Sequence, residues 1–349
     1  MNKTIHIKEK LAESFRRYGV EGEAAFHSIA LQYYRKYSKV LQNIPEPIVY
    51  KWSRSYSNLE TDLNIKTFLN DLVLQDPMGE KLSDLYQFFI GRKFREGSGK
   101  FFTPKVVASA MAKMLPSIEN PTIMDPTCGG GTFLAEASYL WRQDKCTLVA
   151  NDIEYSLIEL SMLVLGLSTP KKHRKYFSSI NIFDPSKEIT SWYGQVDFIL
   201  ANPPFSLQID NEQFDSELFL AGYRNSDALF IDTALKLLKP GGRLISLLPH
   251  SVIANKDFSS LRNIVEKRWN PLGIISLPEG VFHLAAGTTT RADIVVLQKR
   301  GSPSKNGHKM FFASTPSVGI KLNRNALQPD TNDLETLLDE KEVQKVLNI

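Results

Sequence analysis

The stretch Thr122-Ile123-Met124-Asp125-Pro126-Thr127-Cys128-Gly129-Gly130-Gly131-Thr132-Phe133 decides the fold. Thr122 to Asp125 is a short strand. A glycine-rich turn follows, and Phe133 starts a helix that runs to about Trp141. Strand, glycine turn and helix in this order form the first unit of a Rossmann-like α/β sheet. The turn is no P-loop, because no Gly-Lys-Ser/Thr follows it, and it is not a good Gly-x-Gly-x-x-Gly.

Working outward, Leu148-Val149-Ala150-Asn151-Asp152 reads as the second strand, closed by an acid. A helix over residues 155–166 carries Leu157, Leu160, Met162, Leu163 and Leu165. Ile180-Asn181-Ile182-Phe183-Asp184 marks the third strand and the loop after it. The apolar run over residues 196–200 reads as a buried fourth strand. It stops at Ala201-Asn202-Pro203-Pro204-Phe205, since two prolines cannot donate to a sheet ladder. A helix over 227–238 ends at Lys239-Pro240-Gly241-Gly242. Residues 243–249, 274–278 and 292–298 supply three more strands, and residues 281–290 form a loop over the site. Beyond Arg300 the expectation is a short edge strand near 310–313 and a helix near 333–347.

On the amino-terminal side, residues 8–90 read as helical. Phe26, Ile29, Ala30, Tyr33, Tyr37, Val40 and Leu41 recur at helical spacing, and Ile65, Phe68, Leu69 and Leu72 repeat the pattern. Residues 91–100 are glycine-rich and basic, as in a flexible junction. Phe101-Phe102-Thr103-Pro104 then opens a helix, with Thr103 as its expected N-cap. The division expected is an N-terminal helical domain, 1–90, and a catalytic domain, 91–349, whose tail after 300 is available for docking. A net charge of +4 permits a nucleic-acid partner without demanding one. Two cysteines, Cys128 and Cys146, give neither a disulfide framework nor a metal cluster. With no signal peptide and no membrane-spanning run, the expected compartment is the cytoplasm.

The strand ends carry the chemistry. Open α/β sheets place ligands at the carboxyl ends of their strands. Asp125 before the glycine turn would repel a pyrophosphate but would pair with a cationic amino group. A carboxylate at Asp152 can accept both hydroxyls of a ribose. S-adenosylmethionine offers the amino group, the ribose and an adenine for the third-strand loop. The turn at Asn202 presents a side-chain oxygen, backbone carbonyls and the aromatic ring of Phe205. That set suits a planar, amine-bearing group. Each of these residues also has a plain reading: Asp125 caps its own turn, Thr103 caps a helix, and the proline turn merely ends a strand.

Taken together, Phe101-Phe102-Thr103-Pro104, Asp125 to Leu134 and Asn202-Pro203-Pro204-Phe205 resemble the adenine-specific amino-methyltransferases of DNA. The order is that of the gamma class, and the chain is most similar to the modification subunits of type I restriction–modification systems. The resemblance covers roughly residues 85–300. It implies a Rossmann-like S-adenosylmethionine-dependent methyltransferase sheet with an N-terminal helical domain. The implied activity is methyl transfer to the exocyclic N6 of an adenine flipped out of DNA. By position, Thr103 and Asp125 would hold the methionine end of the cofactor, and Gly129 and Gly131 would let the backbone approach it. Asp152 would take the ribose, Ile153 would pack on the adenine, and Asn181 would sit near its amine. Phe102, Thr127, Phe133 and Ile182 complete the expected cofactor pocket. Asn202 and the Pro203 carbonyl would accept from the target amine, with Pro204 stiffening the turn and Phe205 stacking on the base.

Two departures shape the expected partners. The chain is shorter at both ends than such subunits usually are, and it has no insert large enough for target recognition. Sequence choice is therefore expected on a separate specificity subunit, with a second methyltransferase subunit as a further partner. Lys171-Lys172-His173-Arg174-Lys175 and the segment from Arg92 to Lys100 read either as phosphate contacts or as solvated surface. Rival readings are a methyltransferase of protein glutamine or of an RNA base, and a non-catalytic scaffold of the same fold. Cytosine ring methylation is disfavoured, because it needs a cysteine nucleophile in a suitable loop.

Overall fold

The structure is a computed structural model and describes residues 2–59, 62–95, 102–209, 216–220, 222–281, 291–301, 309–321 and 326–349. Five helices come first: α1 (Asn2–Arg16), α2 (Gly22–Tyr37), α3 (Glu46–Tyr56), α4 (Leu63–Leu74) and α5 (Leu82–Arg95). Asp62 caps α4, accepting from the N–H groups of Asn64 and Ile65. Pro47 sits in the first turn of α3, where a missing N–H costs nothing. Helix α5 continues to Arg95, so the first half of the expected junction at 91–100 is helical. The remainder of that junction, with Phe101, lies outside the described residues, as does the expected loop beyond Val281.

The α/β part follows with α6 (Lys105–Lys113), β1 (Thr122–Asp125), α7 (Thr132–Leu140), β2 (Thr147–Asn151), α8 (Tyr155–Ser168) and β3 (Arg174–Ser178). Next come α9 (Lys187–Thr190), β4 (Val196–Ala201), α10 (Glu217–Leu220), α11 (Ser226–Leu237) and β5 (Leu238–Pro249). The chain continues through α12 (His250–Ala254), α13 (Ser259–Arg268), β6 (Trp269–Ser276), β7 (Ala292–Lys299) and β8 (Phe311–Ser314). A hairpin of β9 (Val318–Lys321) and β10 (Ala326–Asn332) precedes α14 (Asp333–Leu338) and α15 (Lys341–Leu347).

Eight strands form one sheet in the order β3-β2-β1-β4-β5-β7-β6-β8. Only β7 runs antiparallel to its neighbours in that sheet. The strand order reverses between β1 and β4, which opens a crevice at their carboxyl ends. Strand side chains alternate between two cores, as the pleat requires. Ile123, Leu148, Phe198 and Ile245 enter one core, and Met124, Val149, Ile199 and Leu244 enter the other. Helices α6, α7, α14 and α15 cover the first face, and α11 and α13 the second. The tail after residue 300 therefore completes this core, through Leu334, Leu338, Val343 and Leu347. Buried Arg243 ties it down, donating to the carbonyls of Met114 and Leu347.

Helix α8 is apolar almost all round because it is covered on two sides. Ile158 and Leu165 join the sheet core, while Leu157, Leu160, Leu163, Val164 and Leu167 belong to the core of the amino-terminal helices. Lys51 and Trp52 of α3 bond the buried Glu159 of α8 at 3.1 and 3.2 Å. The amino-terminal helices thus pack onto the α/β part through α8, which contributes to both cores.

Besides β5 and β6, which begin early at Leu238 and Trp269 so that Lys239 to Gly242 falls within β5, two expected boundaries move. The third strand is Arg174–Ser178, and Ile180-Asn181-Ile182-Phe183 belongs wholly to the loop after it. The basic residues hid the strand: β3 lies at the edge of the sheet and needs no apolar run. Part of the Lys171 to Lys175 run also turns inward. His173 is buried and its Nδ1 accepts from Cys146 N–H, and Lys175 donates to the Pro170 carbonyl. The second shift is in the tail, where the helix expected over 333–347 breaks into α14 and α15 at Asp339 and Glu340.

Candidate active site

The crevice at the reversal of strand order holds a cavity of about 210 Å3. Loops after β1, β2, β3 and β4 wall it, and the turn before α6 closes one side. From the β1 loop come Asp125, Thr127, Cys128, Gly129, Gly130 and, at the start of α7, Thr132 and Phe133. Asp152 and Ile153 follow β2, and residues 180–183 follow β3. Asn202, Pro203, Pro204, Leu207 and Ile209 follow β4, facing Phe102 and Thr103.

The structure brings together thirteen of the fifteen residues expected from the sequence: Asn202, Pro203, Pro204, Phe102, Thr103, Asp125, Thr127, Gly129, Phe133, Asp152, Ile153, Asn181 and Ile182. Gly131 and Phe205 adjoin lining residues but do not themselves line the cavity. Gly131 has φ +80° at the start of α7, and a Cβ there would come within 3.3 Å of Leu165 and Ser161 on α8. Its lack of a side chain lets α7 approach α8. Phe205 is half-buried against the core shared with α6 and α7.

The glycine turn is closed by its neighbours. Asp152 accepts from Gly129 N–H on one oxygen and from Glu154 N–H on the other, both at 3.0 Å. Cys128 N–H donates to the Asn151 carbonyl at 2.7 Å. Gly129 has φ +51°, and a Cβ there would meet no atom within 4 Å. Asp125 is fully buried. One of its oxygens accepts from Thr127 N–H at 3.0 Å, while Oδ2 and the Thr127 hydroxyl have no hydrogen-bond partner. Burial, with the nearby Asp152 carboxylate adding to it, pushes the Asp125 carboxyl well above the usual carboxylate range. A cationic donor placed in the cavity would satisfy Oδ2 and reverse that shift. Burial likewise pushes the Cys128 thiol up, which makes it a poor nucleophile at neutral pH.

On the opposite wall, Asn202 Nδ2 donates to Thr103 Oγ1 at 3.2 Å. Pro104 rather than Thr103 precedes the first residue of α6, and its carbonyl accepts from Val107 and Ala108. Thr103 is thus a partner of the proline turn instead of a helix cap. Phe102 leans on Tyr86 of α5, with ring centroids 6.1 Å apart, so the helical region backs this wall of the cavity.

Sequence reasoning passed over Asn151. Its amide donates to the carbonyls of Pro126 and Ile180 at 3.0 and 2.9 Å. Its oxygen accepts from Ser178 Oγ at 2.7 Å and from Ile180 N–H at 3.2 Å. Both donors and both acceptor sites are used, and the three cofactor-side loops are joined at one buried side chain. The signal was an amide closing an otherwise apolar strand beside an acid.

A family model described as N-6 DNA Methylase matches residues 78–346. The chain belongs to the N-6 DNA methylase family. Its sequence is 27% identical over 242 residues to the methylase subunit of the Escherichia coli type I restriction enzyme EcoEI, covering 64% of this chain and 46% of that protein. In structure the chain is similar to a Listeria monocytogenes protein assigned to the class I S-adenosylmethionine-dependent methyltransferases. The TM-score is 0.65 at 17% identity, over 98% of this chain and 97% of the other. It is also similar to the methyltransferase subunit of a type I restriction–modification system from Streptococcus thermophilus, with a TM-score of 0.59 at 23% identity, over 79% and 61% of the two chains. These likenesses place the sheet in the class I methyltransferase fold. The chain spans about half the length of the curated relatives it matches.

Proposed function

We propose that this chain transfers a methyl group from S-adenosylmethionine to the exocyclic N6 of adenine in DNA, as the modification subunit of a restriction–modification complex. The observation that carries the reading is the shared cavity. Asp125 and Asp152 stand on one wall, and Asn202, Pro203 and Pro204 face them at the end of the adjacent strand. The residues present fit the cofactor. The partnerless Asp125 Oδ2 matches an ammonium donor, and Gly129 leaves room for a ligand against the backbone. Asp152 already accepts two backbone N–H groups, but a carboxylate retains lone pairs for ribose hydroxyls. Bound there, S-adenosylmethionine supplies an electrophilic sulfonium methyl group.

The protein's own part is positioning and preorganised electrostatics. The lone pair of adenine N6 is delocalised into the ring, so the amine is a poor nucleophile. Asn202 Oδ1 and the Pro203 carbonyl accept from its two N–H groups and favour a more pyramidal nitrogen. Successive prolines fix the turn that carries both acceptors. The base must leave the duplex to reach this pocket at a cost of a few kcal/mol. A separate specificity subunit reads the sequence, and a second methyltransferase subunit completes the complex. Among the described residues no helix is long and apolar enough to cross a membrane.

The experiment is to sequence DNA from cells with and without this gene and read N6-methyladenine. Methylated adenines at a defined motif should vanish with the gene. Identical methylation in the two strains would sink the reading.

A further inference from the structure

The turn that carries Asn202 is gripped from the first two residues of α11. Ser226 Oγ donates to the Pro204 carbonyl at 2.9 Å and accepts from Leu207 N–H at 3.1 Å. Ser226 N–H donates to the Leu207 carbonyl at 2.8 Å. Asp227 accepts Ser206 N–H on both carboxylate oxygens, each at 3.2 Å. Ser226 and Asp227 are buried. Between them Ser206 is held at φ 55°, a left-handed backbone that serine adopts only when its surroundings impose it.

The plain explanation, an acid and a hydroxyl in the first turn of a helix, does not account for these bonds. Asn225 already caps α11, accepting from Asp227 N–H at 2.8 Å. An acid serving only the helix dipole stays in solvent, whereas Asp227 is buried and aimed at the neighbouring loop.

We infer that Ser226 and Asp227 are positioning residues of the target pocket: they fix the Pro204 to Leu207 turn and so the direction in which Asn202 and the Pro203 carbonyl point. The inference rests on the adenine reading of the site. Neither side chain lines the cavity. Their effect is therefore indirect, on the rate of transfer and not on cofactor affinity.

The test uses Ser226→Ala and Asp227→Asn in the full chain. Hydrogen exchange followed by mass spectrometry reads the Ser206 and Leu207 amides, calorimetry reads S-adenosylmethionine binding, and sequencing in the native host reads N6-methyladenine. Exchange at Ser206 and Leu207 should quicken by roughly tenfold or more while the β1 to β3 loops keep theirs. Cofactor affinity should stay within about twofold, and the methylation rate should fall by roughly tenfold or more. Unchanged exchange at Ser206 and Leu207 overturns the inference. So does quickened exchange with full methylation, and so does a parallel loss of cofactor affinity and of protection throughout the sheet. A wild-type host without N6-methyladenine overturns the adenine reading instead, and the exchange data then still decide whether the turn is gripped.

Discussion

The two walls of the cavity are held in different ways. On the cofactor side, the loops after β1, β2 and β3 are bonded to one another through Asn151 and Asp152, with every polar group of Asn151 engaged. The partnerless groups there, Asp125 Oδ2 and the Thr127 hydroxyl, belong to residues that line the cavity. On the target side, the turn after β4 is bonded to Thr103 through Asn202, and it takes its shape from α11. One wall is braced from within by its own loops, the other from behind by a helix. Damage to the first should appear as lost cofactor affinity, and damage to the second as lost rate.

The largest effect belongs to the target wall. Asn202→Ala removes one of the two acceptors proposed for the target amine, and methyl transfer should fall on the order of a hundredfold or more. Calorimetry should show nearly unchanged S-adenosylmethionine binding, and near-normal turnover would refute the role of Asn202. Asp152→Ala attacks the other wall. It removes the acceptor for Gly129 N–H as well as the proposed ribose contact, and binding should weaken by roughly thirtyfold, as expected for bonds to a charged group. Equal affinity in the two proteins would end the ribose assignment. Asn151→Ala should lower stability by about 2–3 kcal/mol, because it leaves buried carbonyls and an N–H without partners. Affinity should fall by roughly tenfold as the three loops lose their common anchor. A variant that unfolds like the wild type in urea but binds cofactor poorly would show that Asn151 serves the ligand alone.

The same contrast explains what was legible in the sequence. Strands β1, β2 and β4 are buried on both faces and announce themselves as apolar runs closed by Asp125, Asp152 and Asn202. The cavity-lining residues sit at those strand ends, so their spacing was readable. Edge strand β3 escaped because Arg174 and Lys175 need no apolar pattern at the rim of a sheet. Gly131 has a use beyond the one the resemblance implied, the close approach to α8, which only the fold shows. Asn151, Ser226 and Asp227 act through partners distant along the chain, up to twenty-nine residues for Asn151 and Ile180. No local pattern encodes such a bond. Phe205 is a case where composition pointed to the right turn while the ring packs against the core.

The smallest effect sharpens the contrast most, because stability and activity should move in opposite directions. Burial pushes the Asp227 carboxyl up to about 6, from an ordinary value near 3.8. A group raised in the folded state gives stability that is complete below the unfolded value and is lost as pH rises through the folded one. At pH 8 the wild type thus holds an ionised carboxylate that the unfolded chain would solvate better. The displacement corresponds to at most about 3 kcal/mol, and the charge-assisted bond that an asparagine gives up brings the expected net to about 1 kcal/mol. Asp227→Asn keeps the neutral shape. It should be more stable than the wild type by about that amount at pH 8 and should lose the advantage near pH 4, in denaturant unfolding at the two pH values. Yet the ionised carboxylate is the form that accepts Ser206 N–H on both oxygens, so the stabler variant should be the slower enzyme. A variant less stable than the wild type at pH 8 would mean that the Ser206 bonds outweigh the buried charge, and the target wall would then be braced as firmly as the cofactor wall.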